Sequence, residues 1–558
     1  MSKLSSLLPL LALLAPTAAR AQTACPTLPT DHISRFTSVA PGPQTQQLRL
    51  PATHTFQLLA QGGDAYSNPA DGQLRDSFDF TGFVAAGGSA SNGYIALNHE
   101  GTTAAASGVS ILDLNFSAGS RLWSVVARNP VNFAPVVGAF NNCSGGLTPW
   151  NTVVTCEENT PTSPTDSNGD GYYDFGWATE IDPATRTIKD QDGDGRPDKL
   201  WHLGRFKHEN VTVAADQRTV YQGADEGATY SFVYKFVATT AGQLGAGRLY
   251  VLKLDGAIGT ATTGTWLPVP NTTPAECNST ATAALALGAT SFNGVEDTDI
   301  SPLTGQVYFA AKGPGTVYRF TDAGSTVSGF EVFVGNSAAT PGQSYPITTG
   351  SGTVPELWGL GNDNLTFDAY GNLYVLQDGG RNHIWLVRAC HTQAAPAVEV
   401  FALTPAGGEP TGMTFSPDQR FLFLSFQHPS AANTLAAPDA AGQSVVFNKA
   451  SAVVIGRKGT LGALATAATP GRPTPARPEV YPNPATGPTL TVALPHDRTE
   501  TATLLVYNSL GTLMLSQPAA LRPGPNQLSV AVAQLGRGVY QLVVRTEAST
   551  AWRAFSRM

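Results

Sequence analysis

Charge is scarce in this chain. Only 13% of its 558 residues are Asp, Glu, Lys or Arg, about half the usual ~25%. Coiled coils and long helical arrays need many such residues and are excluded. Basic charge is the scarcer sign, with 33 Lys and Arg against 41 Asp and Glu and a net charge of −8. A general nucleic-acid binder is therefore excluded, while an acidic excess suits a binder of cations. No apolar run approaches the ~18 residues of a membrane-spanning helix, so none is expected. No long stretch carries helical periodicity with caps. There is no G-x-S-x-G elbow and no P-loop, so neither supplies a nucleophile or a phosphate cradle. What is present in quantity is turn-forming and apolar: Gly 57, Pro 40 and 42% hydrophobic residues. That combination rules out a disordered tail and favours all-β structure.

The N-terminus reads as a secretory signal peptide over residues 1–21. Lys3 supplies positive charge, Leu4 to Leu14 is mostly apolar, and Ala19-Arg20-Ala21 is a small-x-small cleavage site. The cysteines are Cys25, Cys143, Cys156, Cys277 and Cys390. An odd number in an oxidising compartment leaves at least one as a free thiol, an intermolecular link or a metal ligand. Two disulfides and a spare is the plain expectation.

Short apolar strand-like runs recur behind turn residues. They are Asn92 to Leu97, Gly247 to Leu252, Thr304 to Phe309, Gly371 to Leu376 and Asp418 to Leu424. Their irregular repetition predicts a β-propeller with insertions over residues 22–465; a pair of β-sandwiches is the alternative. A Pro-rich linker is expected at 466–478. A small β-sandwich is expected at 479–558, from alternating runs such as Ala502 to Tyr507 and Val539 to Arg545.

Two loops carry cation-binding spacing. Asp166, Asn168, Asp170 and Asp174 form the first, and Asp190, Asp192, Asp194 and Asp198 the second. Each places oxygens at positions 1, 3, 5 and 9 with Gly at 6, the alternation that converges ligands on calcium. Neither has a Glu at position 12, so these are structural calcium loops rather than complete EF-hands. A plain Asp/Gly turn without metal is the bland reading.

Other carboxylates stand at the ends of apolar strands: Glu100, Glu157, Glu158, Glu209, Asp225, Glu226, Glu296, Asp297 and Asp363. In a propeller such ends converge on the central channel, where like charges repel unless cations neutralise them. A metal cluster on the axis is the expectation.

These segments resemble the PhoX-type bacterial alkaline phosphatase family. The most specific stretch runs from Asn142-Cys143-Ser144-Gly145-Gly146 through Thr148-Pro149-Trp150 to Thr155-Cys156-Glu157-Glu158. Leu203-Gly204-Arg205-Phe206-Lys207-His208-Glu209 and Gln427-His428-Pro429 follow in family order. The resemblance implies a six-bladed propeller holding a ferric pair with several calcium ions, and hydrolysis of phosphate monoesters. Cys143 becomes the thiolate ligand of the irons, with Glu209 and Glu296 as acidic iron or calcium ligands. Glu100, Glu157, Glu158, Asp225, Glu226 and Asp297 are further ligand candidates. The cluster would bind phosphate oxygens, spread the developing charge and supply the nucleophile. One departure stands out. The family carries Arg-Pro-Glu-Asp where this chain has Gly294-Val295-Glu296-Asp297, so a phosphate-clamping arginine is replaced by glycine. Arg205 and Lys207, or Arg319 and Arg381, are the substitutes to consider.

Two other functions suit the same scaffold. One is a calcium-dependent lactonase or phosphotriesterase, and the other a non-catalytic calcium-binding surface protein.

The last module resembles the C-terminal sorting domain of the type IX secretion system. Its motifs are Val480-Tyr481-Pro482-Asn483-Pro484, Val506-Tyr507-Asn508-Ser509-Leu510-Gly511 and Leu535-Gly536-Arg537-Gly538-Val539-Tyr540. The resemblance implies export through the periplasm and that machinery, to the cell surface or the medium. The expected partners are thus a small phosphorylated substrate and the secretion machinery.

Overall fold

The computed structural model describes residues 25–379, 381–462, 478–496, 498–546 and 550–558. The expected signal peptide and nearly all of the expected linker lie outside the described residues. The chain divides into two compact units between Leu464 and Ala465.

The first unit is a six-bladed β-propeller. Alternating apolar residues and tight turns make each blade an antiparallel meander of four strands. The inner strands, in chain order, are Phe78–Ala85, Asn142–Leu147, His208–Val213, Val295–Ile300, Asn362–Phe367 and Glu409–Phe415. Each of these packs against the inner strands of its two neighbours, and the sixth returns to the first, so the ring is closed. A pair of sandwiches is thereby excluded. The five strand-like runs of the sequence fall on strands of blades one, three, four, five and six. Blade six is completed by the N-terminal strand His54–Gln61, which pairs with Ser451–Arg457. This closure leaves no gap in the ring through which blades could slide apart. An extra strand, Thr263–Val269, bridges the outer edges of blades three and four.

Large apolar side chains fill the wedges between blades. Phe83 of blade one stacks on Phe423 of blade six with ring centroids 4.4 Å apart, and Trp123 packs edge-on against both Phe421 and Phe423. Burial of such aromatics stabilises each wedge by several kcal/mol, on the order of 2–3 per side chain. One disulfide, Cys25–Cys390, ties the N-terminal segment to blade five. Cys143, Cys156 and Cys277 are free and buried, so there is one disulfide where two were expected.

The second unit is a two-sheet sandwich. One sheet holds Glu479–Tyr481, Thr489–His496 and Gly524–Ala531. The other holds Leu513–Leu521, Glu500–Asn508, Gly538–Thr546 and Thr550–Arg557. Leu490, Val492, Leu504, Val506, Leu542 and Val544 alternate inward to form its core.

Candidate active site and metal centre

The six inner strands share one irregularity. In each, two consecutive residues oppose a single residue of the next strand. The pairs are Asp79-Phe80, Cys143-Ser144, Glu209-Asn210, Glu296-Asp297, Asp363-Asn364 and Gly412-Met413. A β-bulge re-aims a side chain that regular pleating would send elsewhere. Repeated six times around the ring, it gathers Asp79, Cys143, Glu209, Glu296 and Asp363 as a first tier of buried residues. Blade six contributes only Gly412. A Cβ there would lie 2.3 Å from the Thr81 nitrogen and 2.4 Å from Phe80 Cα, so the bulge of blade one occupies that space. The blade-two bulge is held from outside, because Asn98 Nδ2 donates to the carbonyls of Cys143 and Ser144 at 2.7 and 3.0 Å.

A second tier repeats as well. In five blades the residue following the second strand donates its N–H to the carbonyl of the residue preceding the inner strand. The bonds are Glu100 to Ser77, Glu158 to Asn141, Asp225 to Lys207, Lys312 to Gly294 and Asp378 to Gly361, at 2.8–3.2 Å. Four of the five positions are acidic and blade four has a lysine.

The tiers meet in three sets whose ligand atoms lie within 4.8 Å of one another. They are Cys143 with Glu158 and Glu209, Glu209 with Asp225 and Glu296, and Asp363 with Asp378 and Glu409. Burial first, then repulsion from the neighbouring carboxylates, pushes the carboxyls of Glu209, Glu296, Asp79 and Glu409 well above their usual range. Glu158 rises to about 8, through burial and then Glu100 and Asp225. Burial, then Glu209 and Glu158, likewise raises the Cys143 thiol. Asp79 Oδ1 is buried without a hydrogen-bond partner, and Glu296 Oε1 has no hydrogen bond and only the Lys312 ammonium 3.5 Å away. Buried carboxylate oxygens so poorly satisfied in a crowd of like charge fit cations. The donor chemistry is graded around the ring. The set with Cys143 offers a sulfur, whose S–H now donates to the His208 carbonyl at 3.0 Å and which would be a soft thiolate ligand for a transition metal once deprotonated. The other two sets are all oxygen, which suits hard cations such as calcium.

The remaining candidate residues are dispersed around this core. Glu100 lies on the rim, where it accepts from Gln427 Nε2 at 2.6 Å and Asn141 Nδ2 at 3.1 Å. Asp297 accepts from Ser144 Oγ at 2.8 Å and the Leu365 N–H at 3.1 Å. Glu226 accepts from the Lys207 N–H at 2.8 Å. Glu157 stands apart from the three sets. Its carboxylate receives Lys199 Nζ at 2.8 Å and the N–H groups of Phe140, Gly176 and Trp177, so its lone pairs are occupied by the protein itself. Arg205 is buried, with Nε donating to the Phe175 carbonyl and the guanidinium over Tyr173. Arg319 pairs with Glu331 on an outer strand, and Arg381 pairs with Glu356. His99 and His208 are buried and hydrogen-bonded to Ser110 and Gly204, with burial holding both rings near 3.

The two Asp/Gly loops sit on blade two. Asp190, Asp192 and Asp194 converge to within 4.8 Å. Asp166 and Asp190 each accept two loop N–H groups from glycines, at 2.7–3.0 Å. Asp174 and Asp198 cap the loops at the Ser167 and Gln191 N–H groups, while Asn168 Nδ2 donates to Asp170.

Asp79, Lys312, Asp378 and Glu409 escaped the sequence reading, and Asp363 was noted there only among the strand-end carboxylates expected at the axis. Their shared signal is position, either the first bulged residue of an inner strand or the residue just after the second strand. Glu409, at the start of blade six, fits neither.

Lys312 Nζ lies 2.9 Å from Asp363, 3.1 Å from Asp378 and 3.5 Å from Glu296. Its neighbours raise its pKa against the lowering effect of burial, so it is charged.

The chain also matches known proteins. The family model described as Alkaline phosphatase PhoX matches residues 117–430, more than half of the chain. That described as Secretion system C-terminal sorting domain matches residues 479–555. No curated protein matches. Among solved structures, PhoX of Pseudomonas fluorescens in complex with vanadate, a transition state analogue, has 22% identity and a TM-score of 0.59, covering 78% of this chain and all of that one. The periplasmic gluconolactonase PpgL of Pseudomonas aeruginosa has 11% identity and a TM-score of 0.34, covering 86% of this chain and 99% of that one.

Proposed function

Because the chain belongs to the PhoX alkaline phosphatase family, we propose that this phosphatase hydrolyses phosphate monoesters at a cation centre on the propeller axis. Iron is assigned to the set containing Cys143, and calcium to the all-oxygen sets. The observation that carries this reading is the sixfold bulge, which spends strand regularity to bring Cys143, Glu209 and Glu296 to one place.

Bound cations supply the positive charge that neutralises phosphoryl oxygens as the transition state forms. The protein's part is to hold the ligands rigid. Glu209 belongs to two sets and so couples them. Gln427 and Asn141 orient Glu100, and Asn98 fixes the backbone that carries Cys143. Ser144 and the Leu365 N–H hold Asp297 beneath the ring. Asp225 and Glu226 face the rim beside Lys207. The blade-two loops are assigned as structural calcium loops, supported by the convergence of Asp190, Asp192 and Asp194. The terminal unit is assigned to export through the type IX machinery, to the cell surface or the medium.

Turnover of p-nitrophenyl phosphate by natively purified protein tests the reading. Cys143→Ala is expected to abolish turnover. Full activity in that variant would remove the thiolate from the centre and sink the assignment.

A further inference from the structure

Lys312 breaks the repeat of the fold. At its position the other four repeating blades carry Glu100, Glu158, Asp225 and Asp378, each held by the same backbone bond. Among these five positions, blade four alone carries a cation. We propose that Lys312 is the residue that grips the phosphoryl group of the substrate in this chain, a proposal that rests on the phosphatase reading above.

The first support is placement. Lys312 is about a third exposed, while Glu296 and Asp363 below it are buried. The ammonium therefore sits between the carboxylate ring and solvent, where an incoming anion meets the centre. Its backbone is fixed on both sides. Its N–H donates to Gly294 at 2.8 Å, and its carbonyl accepts from Gly315 and Gly361 at 3.1 Å.

The second support is competition for carboxylates. Glu296 is shared with the set of Glu209 and Asp225, and Asp363 and Asp378 with the set of Glu409. Cations in those sets take the charge that now holds the ammonium. Lys312 then has three N–H donors, no acceptor capacity and a weakened set of partners. A phosphate dianion satisfies it, and a lysine ammonium is a strong point-charge partner for phosphate.

The third support is Gly294. Its φ is +89°, and a Cβ there would meet Lys312 Cβ at 3.2 Å and Asp225 Oδ1 at 3.3 Å. A long side chain at 294 and the present path of Lys312 compete for one space. Of the alternatives, Arg205 bonds the Phe175 carbonyl and Arg319 and Arg381 pair with Glu331 and Glu356, while the charge of Lys207 bears on Glu158 in the set of Cys143 and Glu209 rather than on the two all-oxygen sets that Lys312 joins. Among the described residues, no other lysine or arginine forms an ion pair with these three sets.

The test is calorimetric titration of inorganic phosphate into natively purified wild type, Lys312→Met and Lys312→Arg, with iron and calcium measured on the same samples. KM and kcat for p-nitrophenyl phosphate are measured in parallel. Loss of a charge-assisted contact is expected to weaken phosphate binding at least about tenfold in Lys312→Met, with KM raised, metal content unchanged and Lys312→Arg close to wild type. Wild-type phosphate affinity in Lys312→Met at wild-type metal content would overturn the proposal. So would an extra cation in that variant, which would make the lysine a filler of a cation site. If the methionine variant does not fold, Lys312→Gln is read by the same criteria. A wild type that neither binds phosphate nor hydrolyses the ester refutes the phosphatase reading itself. An active wild type with an indifferent Lys312→Met refutes only this inference.

Discussion

Replacing Lys199 by methionine should destabilise the propeller severely while leaving its metal content intact. Lys199 and Glu157 have side chains 0% and 1% exposed and are paired at 2.8 Å. Burial works against both charges, raising the pKa of Glu157 and lowering that of Lys199 against their mutual attraction. Such a pair adds little by itself, yet removing one partner strands the other charge. Lys199→Met leaves Glu157 with three backbone donors and no cation, and costs about 3–5 kcal/mol. Glu157→Gln with Lys199→Met together removes both charges and should recover much of that loss. The assay is denaturant unfolding of the four proteins of the double-mutant cycle, read as apparent midpoints because a multi-blade chain need not unfold in one step. Iron and calcium are quantified alongside. Glu157→Gln that loses metal while keeping its unfolding midpoint would refute the reasoning, because it would show Glu157 to be a ligand rather than a structural anchor.

Three further outcomes follow from the same geometry. Gly412→Ala should cost about 2–4 kcal/mol, since φ is +42° and the new methyl meets backbone. Gly87→Ala, also left-handed but with open space, is the control in thermal unfolding, and equal shifts would contradict the clash. Metal-stripped protein should lose stability as pH rises from about 4.5 to about 8. The reason is that Glu158, raised to about 8 from its ordinary 4.5, keeps in the folded state a proton that the unfolded chain releases. A melting temperature in chelator that climbs across that window would contradict it. Deleting residues 479–558 should leave active, metal-loaded protein in the periplasm. Fractionation that finds it in the medium would remove the export role.

The propeller was legible because its strands announce themselves by turn residues and β-formers, as at Gly371-Asn372-Leu373-Tyr374. The ring of buried acids and cysteine was only half legible. Cys143, Glu209 and Glu296 stood out through the family resemblance, but a bulge is a register event and leaves little trace in composition. Asp79 reads as an ordinary acid until the opposing strand is known. Glu157 looked equivalent to Glu158, its neighbour. Adjacent strand residues point to opposite sides, and only the fold shows that one meets Lys199 and the other Cys143. Lys312 was invisible for a similar reason, since its meaning comes from the four acids that hold its place in other blades.

Elemental analysis of the natively purified protein tests the central claim most directly. Near-stoichiometric iron with several calcium ions per chain is the predicted result, and Cys143→Ala should lose the iron. Protein that hydrolyses phosphate monoesters at full rate with calcium alone, or with no metal, would contradict a centre built on Cys143.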